Sequence, residues 1–109
     1  MNRTTSCLVD VCALCVCLFI LTMLARSAPS PAATNGQHVY ARSCASCHDA
    51  HSTVSKVGPG LKGYYSSHHP PPSDAKVLAI IVKGKGRMLG FSSLSQEQMD
   101  ELIAYLKTL

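Results

Sequence analysis

Residues 44–48 read Cys44-Ala45-Ser46-Cys47-His48, and the fold turns on what these five residues hold. Two thiols three positions apart lie near one face of a helical turn, and the next residue is an imidazole. C-x-x-C-H is the attachment pattern of a c-type haem. In that reading the two thiols would add to the two vinyl groups on one side of a porphyrin, and His48 would turn its imidazole toward the iron. Other chemistries share the pattern. A redox dithiol needs a βαβ context, which is absent. A Cys₂His₂ zinc site is awkward because His68 and His69 are adjacent rather than three to five residues apart.

Outward from this motif, the cysteines fall into two groups. Cys12, Cys15 and Cys17 lie in an apolar run from Leu8 to Ala25 whose only charge is Asp10, and Cys7 stands just before it in the same leader. Arg3 and the amino terminus precede the run, and Arg26 with a small-residue, Pro-rich stretch follows it. This is the build of a secretory signal peptide, with Ala25-Arg26-Ser27 offering a cleavage site. A retained anchor is the rival reading, although the run beyond Asp10 is about 15 residues, short of the roughly 20 that span a bilayer. Either way the rest of the chain is expected outside the cytoplasm, in the periplasm or an equivalent compartment. The four leader cysteines read as small hydrophobes, so six cysteines do not make a disulfide framework.

Residues 1–33 are therefore expected to be leader and linker, and residues 34–109 one domain. The 109-residue chain has room for no more. Eight Lys or Arg stand against five Asp or Glu from Thr34 onward, and the whole chain carries +4. That balance is too modest to favour a nucleic-acid binder. A domain this small rarely builds a sufficient core alone, and without its cofactor it should be largely unfolded.

The pattern downstream is helical. A first helix is expected from about Gly36 through Val39 and Tyr40 to the cysteines. Residues 49–72 read as loop, because Gly58-Pro59-Gly60, Gly63 and Pro70-Pro71-Pro72 interrupt any helix. Ser73 and Asp74 open a second helix with Val77, Leu78, Ile81 and Val82 as its apolar stripe, and Gly84 ends it. Ser95 and Gln98 form a capping box, Leu94 and Met99 have staple spacing, and Met99, Leu102, Ile103 and Leu106 make the stripe of a last helix. No strand-like alternation or internal repeat is present.

With these features in order, residues 36–109 resemble the small class I cytochromes c. Gly36 and Tyr40 stand where that family's first helix meets its last, with Leu102 and Tyr105 opposite. Gly58-Pro59-Gly60-Leu61-Lys62-Gly63 resembles the family's G-P-x-L-x-G turn, and residues 80–91, IIVKGKGRMLGF, resemble its distal segment. The resemblance implies an all-α fold of three to four short helices and long loops around one covalent haem c. It implies thioethers at Cys44 and Cys47, His48 as proximal ligand, and a Pro59 carbonyl orienting that imidazole. It makes Met88 the distal ligand, since a thioether is soft and raises the potential. Leu89 departs from the proline the family commonly has there. With no tryptophan in the chain, Tyr64 and Tyr65 are candidates for the haem pocket, and His68 or His69 could replace Met88.

A six-coordinate haem leaves no position for substrate, so the expected role is one-electron carriage between redox proteins, not enzymatic catalysis. Lys56, Lys62, Lys83, Lys85 and Arg87 form a positive collar suited to acidic partner faces. A monomer is the default, with membrane contact only through a retained leader. The alternatives are a haem c subunit or tethered domain of a membrane oxidase or dehydrogenase, and a small-ligand sensor or weak peroxidase.

Overall fold

The structure, a computed structural model, describes residues 28–109 and the isolated Val16. The expected leader and its four cysteines lie outside the described residues. Among the described residues there are three helices and no strand: α1 (Pro31–Ser43), α2 (Asp74–Lys83) and α3 (Gln96–Leu106). No helix among them is long and apolar enough to cross a membrane.

Helix α1 starts five residues before the expected Gly36. Ser30 accepts a hydrogen bond from Ala33 N at 3.1 Å, and Pro31 occupies the first helical position. There the missing proline N–H costs nothing and the fixed φ suits the helix, so a stretch that reads as linker is helical. Ala33 is buried. Helices α2 and α3 begin and end as their cap residues predict. Ser73 caps α2, Gly84 closes it at φ 77°, and the Ser95–Gln98 capping box opens α3 with both reciprocal bonds made.

Helices α1 and α3 cross at their closest on Gly36. A Cβ there would overlap the Glu101 carbonyl oxygen and stand 2.8 Å from Tyr105 Cβ. Only glycine allows this approach. Asn35 Nδ2 reaches across to Glu101 Oε1 at 2.6 Å, and the Tyr40 and Tyr105 rings meet at 5.4 Å between centroids. Around this crossing Val39, Val77, Ile81, Leu102, Ile103 and Leu106 are buried with Leu102 only 1% exposed. Each such aliphatic side chain contributes about 1.5–3 kcal/mol by leaving water.

The 30-residue span between α1 and α2 holds its course through backbone bonds rather than secondary structure. Gly58 N donates to Cys47 O at 2.8 Å, Leu61 N to Asp49 O at 2.8 Å, and Gly63 N to Leu109 O at 3.1 Å. These bonds lay the Pro59 turn beside the C-x-x-C-H segment. The far end is fastened by three side chains. Tyr65 Oη donates to Asp74 Oδ1 at 3.2 Å, Lys107 Nζ donates to Asp74 Oδ2 at 2.6 Å, and that ammonium sits 5.6 Å from the Tyr65 ring centroid.

Candidate functional site

The C-x-x-C-H segment grows directly out of the end of α1. Cys44 is the C-cap, its N–H bonded to Tyr40 O at 2.8 Å. Its carbonyl then accepts from both Cys47 N (3.1 Å) and His48 N (2.9 Å). This single tight turn spaces the two thiols and sets the imidazole beyond them. Both cysteines are free and half-buried. Burial first, and the neighbouring Cys47 second, push the Cys44 thiol above its ordinary value. Tyr40 fixes the turn from below by donating its hydroxyl to the His48 carbonyl at 2.7 Å. Burial, followed by Tyr105, Cys44 and Asp49, raises the Tyr40 hydroxyl to about 12, so it remains a donor.

His48 Nδ1 lies 2.8 Å from the Pro59 carbonyl oxygen. A carbonyl can only accept, so Nδ1 carries the proton and Nε2 keeps its lone pair. Gly58 packs against the same ring. A Cβ at residue 58 would stand 2.5 Å from His48 Cε1 and 2.8 Å from Nδ1. The bare backbone of Gly58 and the Pro59 carbonyl therefore grip the imidazole together.

Met88 comes from a second element. Lys85 and Met88 pair their backbones in both directions, at 3.1 and 3.0 Å, which makes 84–90 a short hairpin. Gly84 and Gly86 supply its two positive φ values, 77° and 61°, which cost glycine nothing. Phe91 N donates to Ile81 O at 2.8 Å and ties the hairpin to α2. Met88 is half-buried and packed against the core, as are Leu61, Tyr64, Leu78, Phe91 and Leu94.

The remaining residues singled out from the sequence divide. Tyr65 spends its hydroxyl on Asp74, and burial, with Asp74 adding to it, holds that phenol well above the usual tyrosine range. Any contact with a haem propionate would compete with this bond. The Tyr64 ring lies between those of Tyr65 (5.9 Å) and His68 (5.1 Å). His68 is exposed, with Nδ1 2.7 Å from the Tyr64 carbonyl, and His69 is exposed. Lys83, Lys85 and Arg87 are exposed around the hairpin. Lys56 is different, for its ammonium reaches Ala45 O at 3.3 Å and braces the C-x-x-C turn. Lys62 lines a shallow cleft with His51 and Tyr105 beside the helix crossing. Gly58 and the Tyr40 hydroxyl are site residues that pattern reading missed. The glycine's place one step before Pro59, the residue that accepts from the imidazole, is the signal that could have revealed it.

These residues fit a covalently attached haem. Two unbonded thiols, an imidazole with a free Nε2 and a half-buried thioether are the donors such a group needs. Among the described residues no three His, Cys, Asp or Glu side chains are placed to hold a metal ion.

Residues 31–106 match the family described as cytochrome c oxidase, cbb3-type, subunit III. A cytochrome c6-like protein of Nostoc sp. (strain PCC 7120) is 26% identical over 90 residues, covering 82% of this chain and 81% of the relative. The crystal structure of cytochrome c6 from the diatom Phaeodactylum tricornutum superposes with a TM-score of 0.55 at 20% identity, covering 70% of this chain and 91% of that one. It supports the same all-α fold. The matched segment begins at the first residue of α1, ends at the last residue of α3 and encloses the C-x-x-C-H turn. Members of this family carry covalently bound haem c and exchange electrons with redox proteins. The chain belongs to this cytochrome c family, as a small mono-haem member.

Proposed function

We propose that the protein carries single electrons between redox proteins outside the cytoplasm, with haem c joined to Cys44 and Cys47 and its iron held by His48 and Met88. The observation that carries this reading is the 2.8 Å approach of His48 Nδ1 to the Pro59 carbonyl. It fixes the tautomer and points the lone pair of Nε2 away from the turn, and a hydrogen-bonded imidazole is a better electron donor to a metal. The haem supplies a one-electron iron couple within a delocalised ring. The chain's own contribution is to hold two unlike ligands on two stiff supports, so that gaining or losing the electron moves few atoms. Tyr40 and Gly58 hold the proximal side, and the 84–90 hairpin holds the distal side. With His48 and Met88 both given to the iron, no ligand position would be left for a substrate, which favours a carrier over an enzyme. The leader-like apolar run from Leu8 to Ala25 supports export.

The haem-loaded protein should give a reversible one-electron wave in voltammetry, and the reduced form should not bind carbon monoxide. Rapid carbon monoxide binding would mean an open position and would favour a sensor or weak peroxidase. A second reading, a tethered haem c subunit of an oxidase, is favoured by the family description. Sequencing the amino terminus of the protein from its native membrane and soluble fractions separates the two. A start near Ala28–Thr34 means a released carrier, and a start at Met1 means an anchored one.

A further inference from the structure

Tyr105 is 7% exposed, yet its hydroxyl makes no hydrogen bond among the described residues. Its backbone is well occupied, for its carbonyl accepts from Thr108 N at 2.8 Å and from Thr108 Oγ1 at 2.7 Å. Leaving a buried hydroxyl unpaired is costly. Among the described residues no fully enclosed side-chain N or O atom lacks a partner, so the Tyr105 oxygen must meet the outside. The opening that Tyr105 borders is a cleft of about 300 Å³ beside the α1–α3 crossing.

Segments far apart in sequence converge on this cleft. Gln37 comes from α1, His51 from just past the C-x-x-C-H turn, Lys62 from the 58–63 turn, and Tyr105 and Thr108 from the end of α3. Backbone bonds hold them in place: Lys62 N donates to Ser52 O at 3.3 Å, and Gly63 N to Leu109 O at 3.1 Å. None of Cys44, Cys47, His48 and Met88 borders the cleft. Its unspent hydrogen-bonding capacity is mainly that of a donor. Lys62 has three N–H groups and no acceptor, and the one ion pair among the described residues lies elsewhere, between Lys107 and Asp74. The Gln37 amide, the His51 ring and the Tyr105 hydroxyl can each donate as well. Burial raises the Tyr105 hydroxyl above its ordinary value, so it keeps its proton at neutral pH. Nearby acceptors are engaged: Leu109 O by Gly63, Tyr105 O by Thr108, and Asp49 Oδ1 by His51 N at 2.8 Å. Donors gathered without free acceptors suit an anion.

We infer that this cleft binds a compact oxoanion of the phosphate type, Lys62 supplying the charge and Tyr105 the buried hydrogen bond that fixes its position. A carboxylate on Leu109, the last residue of the sequence, opposes the Lys62 charge, so the affinity is set in the millimolar range. The inference is independent of the electron-carrier reading, because the cleft is complete whether or not Met88 meets the iron. A bound anion would join α1, the turn that carries Pro59 and the end of α3. Free phosphate and the phosphate of a lipid headgroup share this chemistry, and the test separates them.

Reduced, haem-loaded, ¹⁵N-labelled protein is titrated with inorganic phosphate at constant pH and ionic strength, and amide shifts are followed. Shifts at residues 37, 51, 62, 105 and 108 should saturate along one common curve. Tyr105→Phe should weaken binding about tenfold, the worth of a hydrogen bond to a charged group. Lys62→Gln, at an exposed position that leaves the core untouched, should weaken it at least as much. Lys76→Gln, an exposed cation on α2, should change nothing. The same spectra with phosphatidylglycerol vesicles give the source: line broadening at these residues that Tyr105→Phe abolishes, with no response to inorganic phosphate, assigns the site to a headgroup. Saturation by inorganic phosphate assigns it to the free anion. No saturation or Tyr105-dependent broadening with either probe overturns the inference. So does phosphate binding that survives both Tyr105→Phe and Lys62→Gln, or an equal loss in Lys76→Gln, which would mean diffuse attraction to surface charge.

Discussion

Replacing Gly58 with alanine tests the grip on the imidazole at a defined point. Gly58 is not among the residues of positive φ, so alanine introduces no backbone strain and the effect is one of contact alone. The new Cβ would stand 2.5 Å from His48 Cε1 and 2.8 Å from Nδ1. Comfortable contact between carbon atoms begins at about 3.5 Å, so the ring must retreat by about 1 Å. It cannot do so and keep its 2.8 Å bond to Pro59 unless the 58–63 turn moves as well. That turn is tied to Cys47 O through Gly58 N and to Leu109 O through Gly63 N. Overpacking of this kind costs about 1–3 kcal/mol, and the weakened hydrogen bond adds about 0.5–1.5 kcal/mol. The expected loss is about 2–4 kcal/mol in all. Guanidinium unfolding of the haem-loaded variant, followed at the Soret band, measures it. A rise in reduction potential should accompany it, because an imidazole that loses its hydrogen bond donates less to the iron. If Gly58→Ala keeps both the parent stability within 0.5 kcal/mol and the parent potential, the grip described here is not real.

Gly36→Ala should be at least as damaging, because the obstacle is the Glu101 backbone carbonyl and not a movable side chain; a loss of about 3 kcal/mol or more in the same unfolding assay is expected. Tyr40→Phe leaves the His48 carbonyl without its donor and should cost about 1–3 kcal/mol with an unchanged helix content by circular dichroism. Its pH profile is a second readout. The folded hydroxyl ionises near 12 and the unfolded one near 10.0, so Tyr40 stabilises the fold below pH 10.0 and that contribution fades as the pH climbs toward 12. Tyr40→Phe should remove this part of the alkaline loss. Asp74 behaves in the opposite sense. The Lys107 ammonium holds its carboxyl below the ordinary value of 3.8, so its contribution is present above that pH and disappears as the pH falls through the lowered folded value. Asp74→Asn should flatten the acid limb of a pH–stability profile, and Lys107→Gln should move acid unfolding to higher pH, both more visibly at low salt because the pair is half-exposed.

The surroundings of His48 were partly legible in the sequence. C-x-x-C-H needs only five consecutive residues, and the approach of His48 to the Pro59 carbonyl was implied by the resemblance of the 58–63 turn to that of the small cytochromes c. The caps of α2 and α3 were equally readable, since Ser73, Gly84 and the Ser95–Gln98 box act within a few residues of themselves. The start of α1 was hidden because Pro31 suits both a linker and a first helical turn, and only the burial of Ala33 decides between them. The bond that Tyr65 makes was hidden for a different reason. The hydroxyl is claimed by Asp74, which is itself paired with Lys107, 33 residues farther on, and no spacing rule reaches that far. Lys56 read as a free surface cation until the fold brought it over Ala45. The contact of Gly58 with His48 depends on a loop closing back on the helix end, which only tertiary structure supplies.

The central claim is that two residues of unlike chemistry, His48 and Met88, hold the iron and leave it closed to substrate. The far-red absorption of the oxidised, haem-loaded protein tests it most directly, since sulfur bound to ferric haem gives a weak charge-transfer band there that nitrogen ligands do not. The band should be present in the parent protein, absent in Met88→Ala, and unchanged in a variant with His68 and His69 both replaced by Gln. A low-spin spectrum lacking the band, with the double histidine variant turning high-spin, would instead place a loop histidine on the iron and contradict the account.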